Sequence, residues 1–233
     1  MILSARLQAI ADLVPISHTL ADIGTDHGYI PFYLIRQNRI QYAIAADISE
    51  GSLNKARELI RQQNLEHCME TRLGDGLSVL SPGEANTILI AGMGGALIRE
   101  ILEQGDAAAR SASTLILQPM IGQQELRKWL LNNGYAITDE ELAKEGRRIY
   151  EIIVAVSDQT AAGYEKEVFY DVGWKLIEKK HPLLKEWMQG KIHGLEEIMD
   201  NLEKGKTGLS AARLQECKEK HRQYKEVYRC LIE

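Results

Sequence analysis

Short apolar runs alternate with amphipathic stretches over the first two thirds of the chain. Residues 4–13 set Leu3, Leu7, Ile10 and Leu13 on one stripe at helical spacing, and Pro15 ends that segment. Residues 19–23, 42–46, 69–73, 87–91 and 114–117 read as strands. Between and after them, helical spacing predicts helices through 32–36, 49–63, 97–102 and 123–131. The strand runs are largely apolar rather than alternating, which suits strands covered on both faces. Repeated strand–helix units imply a mostly parallel sheet with right-handed crossovers.

The pattern changes after Gly134. Residues 135–142 and 149–156 read as two strands joined by a turn at Glu145-Gly146, an antiparallel pair closing the sheet edge. A polar break at 158–163 then divides the chain into a Rossmann-like domain, 1–158, and a helical unit, 159–233. In that unit Met188, Ile192, Leu195, Met199 and Leu202 step by four and three, as do Leu214, Cys217, His221, Tyr224, Tyr228 and Leu231. Such heptad seams predict an antiparallel coiled-coil hairpin punctuated at 204–208. The plainer alternative is a helix pair that only stabilises the fold.

Composition narrows the class. Apolar residues make up 45% and charged residues 26%, ordinary for a soluble globular chain. The net charge of −5 argues against a basic nucleic-acid coat. Charge is uneven, however: residues 159–233 hold 14 basic and 13 acidic side chains, the remainder 14 and 20. The helical unit thus gives a mild hint of a polyanion contact. Cys68, Cys217 and Cys230 form no CxxC pair and no metal spacing, so no metal is expected. The opening residues lack the pattern of a signal peptide, and no uncharged apolar run is long enough to span a membrane. The expectation is a cytoplasmic monomer.

The first strand runs into Asp22-Ile23-Gly24-Thr25-Asp26-His27-Gly28. Glycines after a parallel strand let the backbone turn and approach a ligand closely. A dinucleotide site reads GxGxxG, but here Asp26 stands at the second glycine position, where a pyrophosphate would meet a carboxylate. This disfavours a nicotinamide oxidoreductase. A ligand bearing an amino group and a sulfonium, S-adenosylmethionine, fits better. Asp47, followed by Ile48, ends the second strand 25 residues after Asp22 and can accept from both ribose hydroxyls. Gly74-Asp75-Gly76 follows the third strand, where Asp75 can accept from an adenine amino group. Each loop alone also suits a turn or helix cap. The fourth strand ends in Ala91-Gly92-Met93-Gly94-Gly95, which would let backbone press against the sulfonium end, with Met93 open to simple packing. The fifth ends in Gln118-Pro119, where the amide can meet a nucleobase edge or hold the loop.

With these segments in place, the chain closely resembles the bacterial tRNA (adenine-N1)-methyltransferases of the TrmK type, which modify the adenine at position 22. The resemblance rests on residues 21–31 (ADIGTDHGYIP), 74–77 (GDGL), 91–97 (AGMGGAL) and 116–119 (ILQP), with Tyr150-Glu151 in the closing strand. It covers nearly the whole chain. It implies an α/β class I Rossmann-like methyltransferase fold with a mostly parallel seven-stranded sheet and a C-terminal α-helical coiled-coil domain, S-adenosylmethionine as donor and tRNA as substrate. Two positions depart from the family: Gly28 is commonly alanine, and Met120 stands where asparagine is expected. No base-reading role is assigned to Met120.

Adenine N1 carries an in-plane lone pair and needs no base to remove a proton first, so alignment and charge stabilisation dominate the expected chemistry. The target base must be extruded from its pairing. Asp26, His27 and Tyr29 are the catalytic candidates: Asp26 to accept from N6 or hold the donor's amine, His27 to shuttle a proton, Tyr29 to stack on the base or donate from its hydroxyl. Structural alternatives are a cap for Asp26, a turn residue for His27 and a core residue for Tyr29. The cofactor candidates are Asp22, Gly24, Asp26, Asp47, Ile48, Asp75, Gly76, Gly92, Met93 and Gly94. For tRNA, Tyr29, Gln118, Pro119, Arg6, Arg36 and Arg99 are expected contacts, with Arg127, Arg147 and Arg148 and the helical tail. Two other readings stay open: a methyltransferase with another acceptor, and a non-catalytic nucleotide-binding module that recruits partners through its coiled coil.

Overall fold

The computed structural model describes residues 1–204 and 208–231. The chain divides into two compact units, Met1–Gly163 and Tyr164–Glu233. In the first, α1 (Ala5–Leu13) is capped by the Ser4 hydroxyl and leads into β1 (Ser17–Ile23). There follow α2 (Tyr29–Arg36), β2 (Ile40–Asp47), α3 (Glu50–Gln63), β3 (Met69–Leu73), a 3-10 turn at Gly76–Val79, β4 (Thr87–Met93), α4 (Gly95–Gln104) and α5 (Asp106–Ser111). The unit closes with β5 (Thr114–Pro119), α6 (Gln123–Asn132), β6 (Tyr135–Glu145) and β7 (Arg148–Ser157). Every strand of the sequence reading is present, mostly extended by one to three residues. The six-residue α5 was not foreseen.

The seven strands form one sheet in the order β3-β2-β1-β4-β5-β7-β6. All pairs are parallel except β5–β7 and β6–β7. The central strands are apolar because both faces are covered: Leu20, Ala21, Ile44, Ile88, Leu89, Ile116 and Leu117 are buried. The chain leaves β1 in one direction towards β2 and β3 and returns on its other side at β4. This reversal opens a crevice beyond the carboxyl ends of β1 and β4, the place where ligands bind in open α/β sheets.

The second unit contains α7 (Glu167–Val172), α8 (Trp174–Glu178), α9 (Leu184–Lys204) and α10 (Gly208–Cys230). Gln189 bonds Tyr228, Glu196 pairs with His221 and Glu203 with Lys218, so partner numbers fall on α10 as they rise on α9. The two long helices are therefore antiparallel. Cys217 and Tyr224, members of one foreseen seam, are buried, as is Met188 of the other. Buried Asp171 accepts from the Tyr224 hydroxyl at 2.6 Å and pairs with Lys220 at 2.5 Å, tying α7 to α10. Residues 205–207, within the foreseen punctuation, lie outside the described residues. Among the described residues no helix is long and apolar enough to cross a membrane.

Candidate active site

Five loops meet at the crevice, one from each of β1 to β5. Backbone bonds tie them side by side. Gly24 and Thr25 N–H groups donate to Ala46 O, Gly74 N–H to Asp47 O, and Met120 N–H to Met93 O. Gly24 sits at φ 78°, and a side chain there would collide with the Met93 thioether, its Cβ standing 2.0 Å from Met93 Cε. The positive φ favours glycine here, and any side chain would also have to push the flexible Met93 thioether aside. Met93 thus lies across the Gly24 backbone. On one side of it is a hollow of about 100 Å³ walled by Asp47, Ile48, Asp75, Gly76, Leu97 and Ile101. A second hollow, of about 370 Å³ and sharing Gly24 with the first, is walled by Arg6, Asp22, Asp26, His27, Tyr29 and Gly92.

The carboxylates of the crevice differ in character. Asp22, at the end of β1, is buried, and burial pushes its carboxyl up to about 6; the Thr25 hydroxyl bond opposes this and nearby Asp47 adds to it. Thr25 in turn accepts from the Gly28 N–H at 3.0 Å, which sets the start of α2. Asp47 accepts from Ser49 N–H at 2.6 Å beside exposed Ile48, and Asp75 is exposed at the tip after β3. Asp26 faces solvent, and Lys55 at 2.9 Å holds its carboxyl below the usual range against a small opposing effect of burial. His27 Nε2 lies 3.1 Å from the other Asp26 oxygen. The His27 and Tyr29 rings stack with centroids 4.7 Å apart and planes within 4°. Tyr29 is 38% exposed, so the core alternative for it does not hold. Asp26 makes no side-chain cap of α2, whose cap residue is Gly28 at φ 68°.

Four expected substrate contacts need correction. Gln118 is fully buried, with Oε1 accepting from Arg6 at 2.8 Å and from Gly92 N–H at 3.2 Å while Nε2 donates to Pro119 O. Its hydrogen bonds hold loops together, and it offers no free edge to a base. Pro119 is likewise buried. Arg36 ends α2 and bonds Gln63 at the end of α3. Helices that follow parallel strands run back along the sheet, so Arg36 lies at the edge remote from the crevice. Arg127 is fully buried and carries no accessible charge: Glu140 at 2.6 Å and Glu151 at 2.8 Å bracket it. Burial pulls its basicity down, but the two carboxylates outweigh this and raise it. Arg99, exposed on α4 with Glu103 at 3.6 Å, and exposed Arg147 and Arg148 remain on the surface.

Sequence reasoning missed Lys55 and gave no role of their own to Thr25 and Tyr150, which it named only within matching motifs. Lys55 follows Asp47 by eight residues, the first two turns of α3 carrying it back to Asp26; the order strand, turn, helix was the available signal. Tyr150 lies under two guanidinium groups, Arg6 at 5.4 Å and Arg148 at 5.0 Å. Among the described residues no cluster of three or more His, Cys, Asp or Glu side chains is placed to hold a metal ion.

This crevice fits a sulfonium nucleoside. A buried carboxylate that gains from a cationic neighbour, a strand-end carboxylate free to accept from a ribose and a third beside glycine backbone stand at three adjacent tips. Gly24, with the Met93 thioether across it, lies between them.

Comparison with known proteins agrees with this chemistry. Residues 3–153 match the family described as "Methyltransferase domain". The tRNA (adenine(22)-N(1))-methyltransferase of Bacillus subtilis (strain 168) is 39% identical over 191 residues, 80% of each chain. The crystal structure of the B. subtilis M1A22 tRNA methyltransferase TrmK superposes with a TM-score of 0.87 at 34% identity, covering 97% of this chain and 99% of that one. The Streptococcus pneumoniae Sp1610 structure, described as a putative tRNA (m1A22) methyltransferase in complex with S-adenosyl-L-methionine, gives 0.86 at 29% identity, covering 97% and 100%. With its sheet order, its crevice and this identity over most of its length, the chain belongs to the tRNA (adenine(22)-N(1))-methyltransferase family.

Proposed function

We propose that this protein transfers a methyl group from S-adenosylmethionine to N1 of an adenine in tRNA, at position 22. The observation that carries the reading is the set of strand-tip carboxylates, Asp22, Asp47 and Asp75, around Gly24, which borders both hollows. Asp47 accepts from the ribose hydroxyls and Asp75 from the adenine amino group. Asp22 faces the donor's ammonium, which draws its carboxyl into the ionised form. When bound, the donor supplies an electrophilic methyl group; its C–S bond breaks as the N1 lone pair forms the new N–C bond.

The chain's own residues then have three tasks. The stacked His27 and Tyr29 rings present a flat face on which an extruded base can continue the stack. Ionised Asp26, anchored by Lys55, stabilises the positive charge that arrives on the base and accepts from its N6–H. His27, within reach of Asp26, relays the N6 proton to solvent. Gly92, Met93 and Gly94 shape the backbone between donor and base. We take the monomer, acting in the cytoplasm, as the working enzyme. The helical unit, with half the chain's basic residues, supplies phosphate contacts to the tRNA.

The test is direct. Incubated with labelled donor and a tRNA transcript, the protein labels N1 of A22, and a transcript with G22 stays unlabelled. Donor binding without transfer to any RNA would instead favour the non-catalytic module, and label on protein or a small molecule would favour another acceptor.

A further inference from the structure

Two half-buried arginines of the first unit, Arg6 and Arg39, have no salt bridge among the described residues; Arg39 spends its guanidinium on the Asp12 and Val14 carbonyls, whereas Arg6 meets no backbone acceptor. A guanidinium so placed has usually lost part of its hydration and gained a carboxylate in exchange. Here the nearby carboxylate, Glu145, is spent elsewhere: its Oε2 accepts from the Ser4 hydroxyl at 2.9 Å and from the Arg6 backbone N–H at 3.3 Å. The Arg6 side chain instead gives one N–H to the uncharged Gln118 oxygen at 2.8 Å and lies over the Tyr150 ring.

The support under it is rigid. Gln118 is fully buried at the end of β5 and also receives the Gly92 N–H, so its oxygen is fixed between two tips of the sheet. Tyr150, on β7, is the second prop. Arg148 reaches the same ring and donates to Met120 O, which keeps the ring in place from its own side. A Cβ built on Gly92 would stand 3.8 Å from Arg6 Nη1, so the guanidinium lies along the bare end of β4. From there it forms a wall of the 370 Å³ hollow, together with Asp22, Asp26 and Tyr29. The remaining donors of a planar fork, positioned by two props and lacking an anion, suit bidentate recognition of an oxyanion.

We propose that Arg6 is an anion anchor of the active site, with Gln118 and Tyr150 as its positioning residues. The anion is an oxyanion on a bound reactant: the carboxylate at the donor's amino-acid end, or a phosphate of the nucleotide being methylated. Gln118 thereby has a role distinct from base reading. This proposal rests on the methyltransferase reading above.

The test uses the full-length chain and four variants: Arg6→Met, Arg6→Lys, Tyr150→Phe and Tyr150→Leu. Binding of S-adenosylhomocysteine, of 5′-methylthioadenosine, which lacks the amino-acid end, and of tRNA is measured at several salt concentrations. If the anion is the donor carboxylate, Arg6→Met weakens S-adenosylhomocysteine about tenfold or more and leaves 5′-methylthioadenosine unchanged. If it is an RNA phosphate, both nucleosides bind as before. The KM for tRNA then rises about tenfold, and the slope of log affinity against log salt falls by about one. In either case Arg6→Lys keeps part of the affinity, Tyr150→Leu shows a smaller loss of the same kind than Arg6→Met, and Tyr150→Phe, which keeps the ring, loses less than Tyr150→Leu. Wild-type values for all three ligands in folded Arg6→Met overturn the proposal while leaving the methyltransferase reading intact. Should Arg6→Met fail to fold, the Arg6 Nε–Hε resonance in the wild-type protein, assigned with Arg6→Lys, must shift on adding S-adenosylhomocysteine or tRNA, and a resonance that does not move overturns it equally. Wild-type protein that binds none of the ligands overturns the functional reading, and this one with it.

Discussion

Two clusters of charge in the first unit are built in opposite ways. Between α6 and the β6–β7 pair, Arg127 is closed in by Glu140 and Glu151, all three removed from water. At the crevice, Asp22, Asp47 and Asp75 stand at neighbouring strand tips with no basic side chain bonded to any of them among the described residues. The first cluster satisfies itself and has nothing left to offer a ligand. The second leaves its acceptors open, and one of them, Asp22, is held at a raised proton affinity by its surroundings. The closed cluster is paired within the chain, whereas the three strand-tip carboxylates are left for a ligand to pair.

The contrast can be broken at the closed cluster first. Arg127→Ala leaves two buried carboxylates without their cation and should cost about 3–5 kcal/mol of stability, read by urea unfolding. Arg127→Met in a background with Glu140→Gln and Glu151→Gln should recover much of that loss, because removing every charge together avoids a stranded one. A mild effect of Arg127→Ala would mean that water reaches the cluster.

Asp22→Asn should act in the other direction. The folded carboxyl titrates near 6, above its ordinary 3.8, so its contribution to stability is fully present below about pH 4 and is lost as pH rises through 6. Removing the charge should therefore stabilise the free protein at pH 7 by about 3 kcal/mol at most, with little effect at pH 4. The same variant should bind S-adenosylhomocysteine more weakly. Equal stability curves for the variant and wild type across that range would deny the raised value.

A smaller effect is expected at the stacked rings. Tyr29→Ala should lower turnover on tRNA about tenfold, with S-adenosylhomocysteine affinity nearly unchanged, since base–aromatic stacking contributes about 1–3 kcal/mol. Equal turnover would remove Tyr29 from the mechanism.

How much of this was legible in the chain follows from the range of each interaction. The strands and their order of appearance were readable because a buried parallel strand is a short apolar run, and β1, β2, β4 and β5 are such runs. The carboxylates at the tips were readable because they directly follow those runs. Helix α5 was not, since six residues rich in alanine show no periodicity. Arg127 was misjudged for a different reason. A lone arginine on a helix reads as solvent-facing, and only the antiparallel closure of β6 and β7, 13 and 24 residues downstream, brings carboxylates to it. Gln118 was half readable: its place at a strand tip was plain, but its partner Arg6 lies 112 residues away. Arg36 was placed wrongly because helical spacing says which face a residue occupies and not which edge of the sheet the helix end reaches.

The central claim is that open carboxylates at the crevice grip an ammonium-bearing nucleoside, and calorimetric titration with S-adenosylhomocysteine at pH 6 tests it most directly. Run in two buffers of different ionisation enthalpy, the account predicts release of about half a proton per bound molecule, as Asp22, half-protonated when free, ionises against the ligand's ammonium. The release should vanish in Asp22→Asn. Binding with no proton release in the wild type, or the same release in the variant, would contradict it.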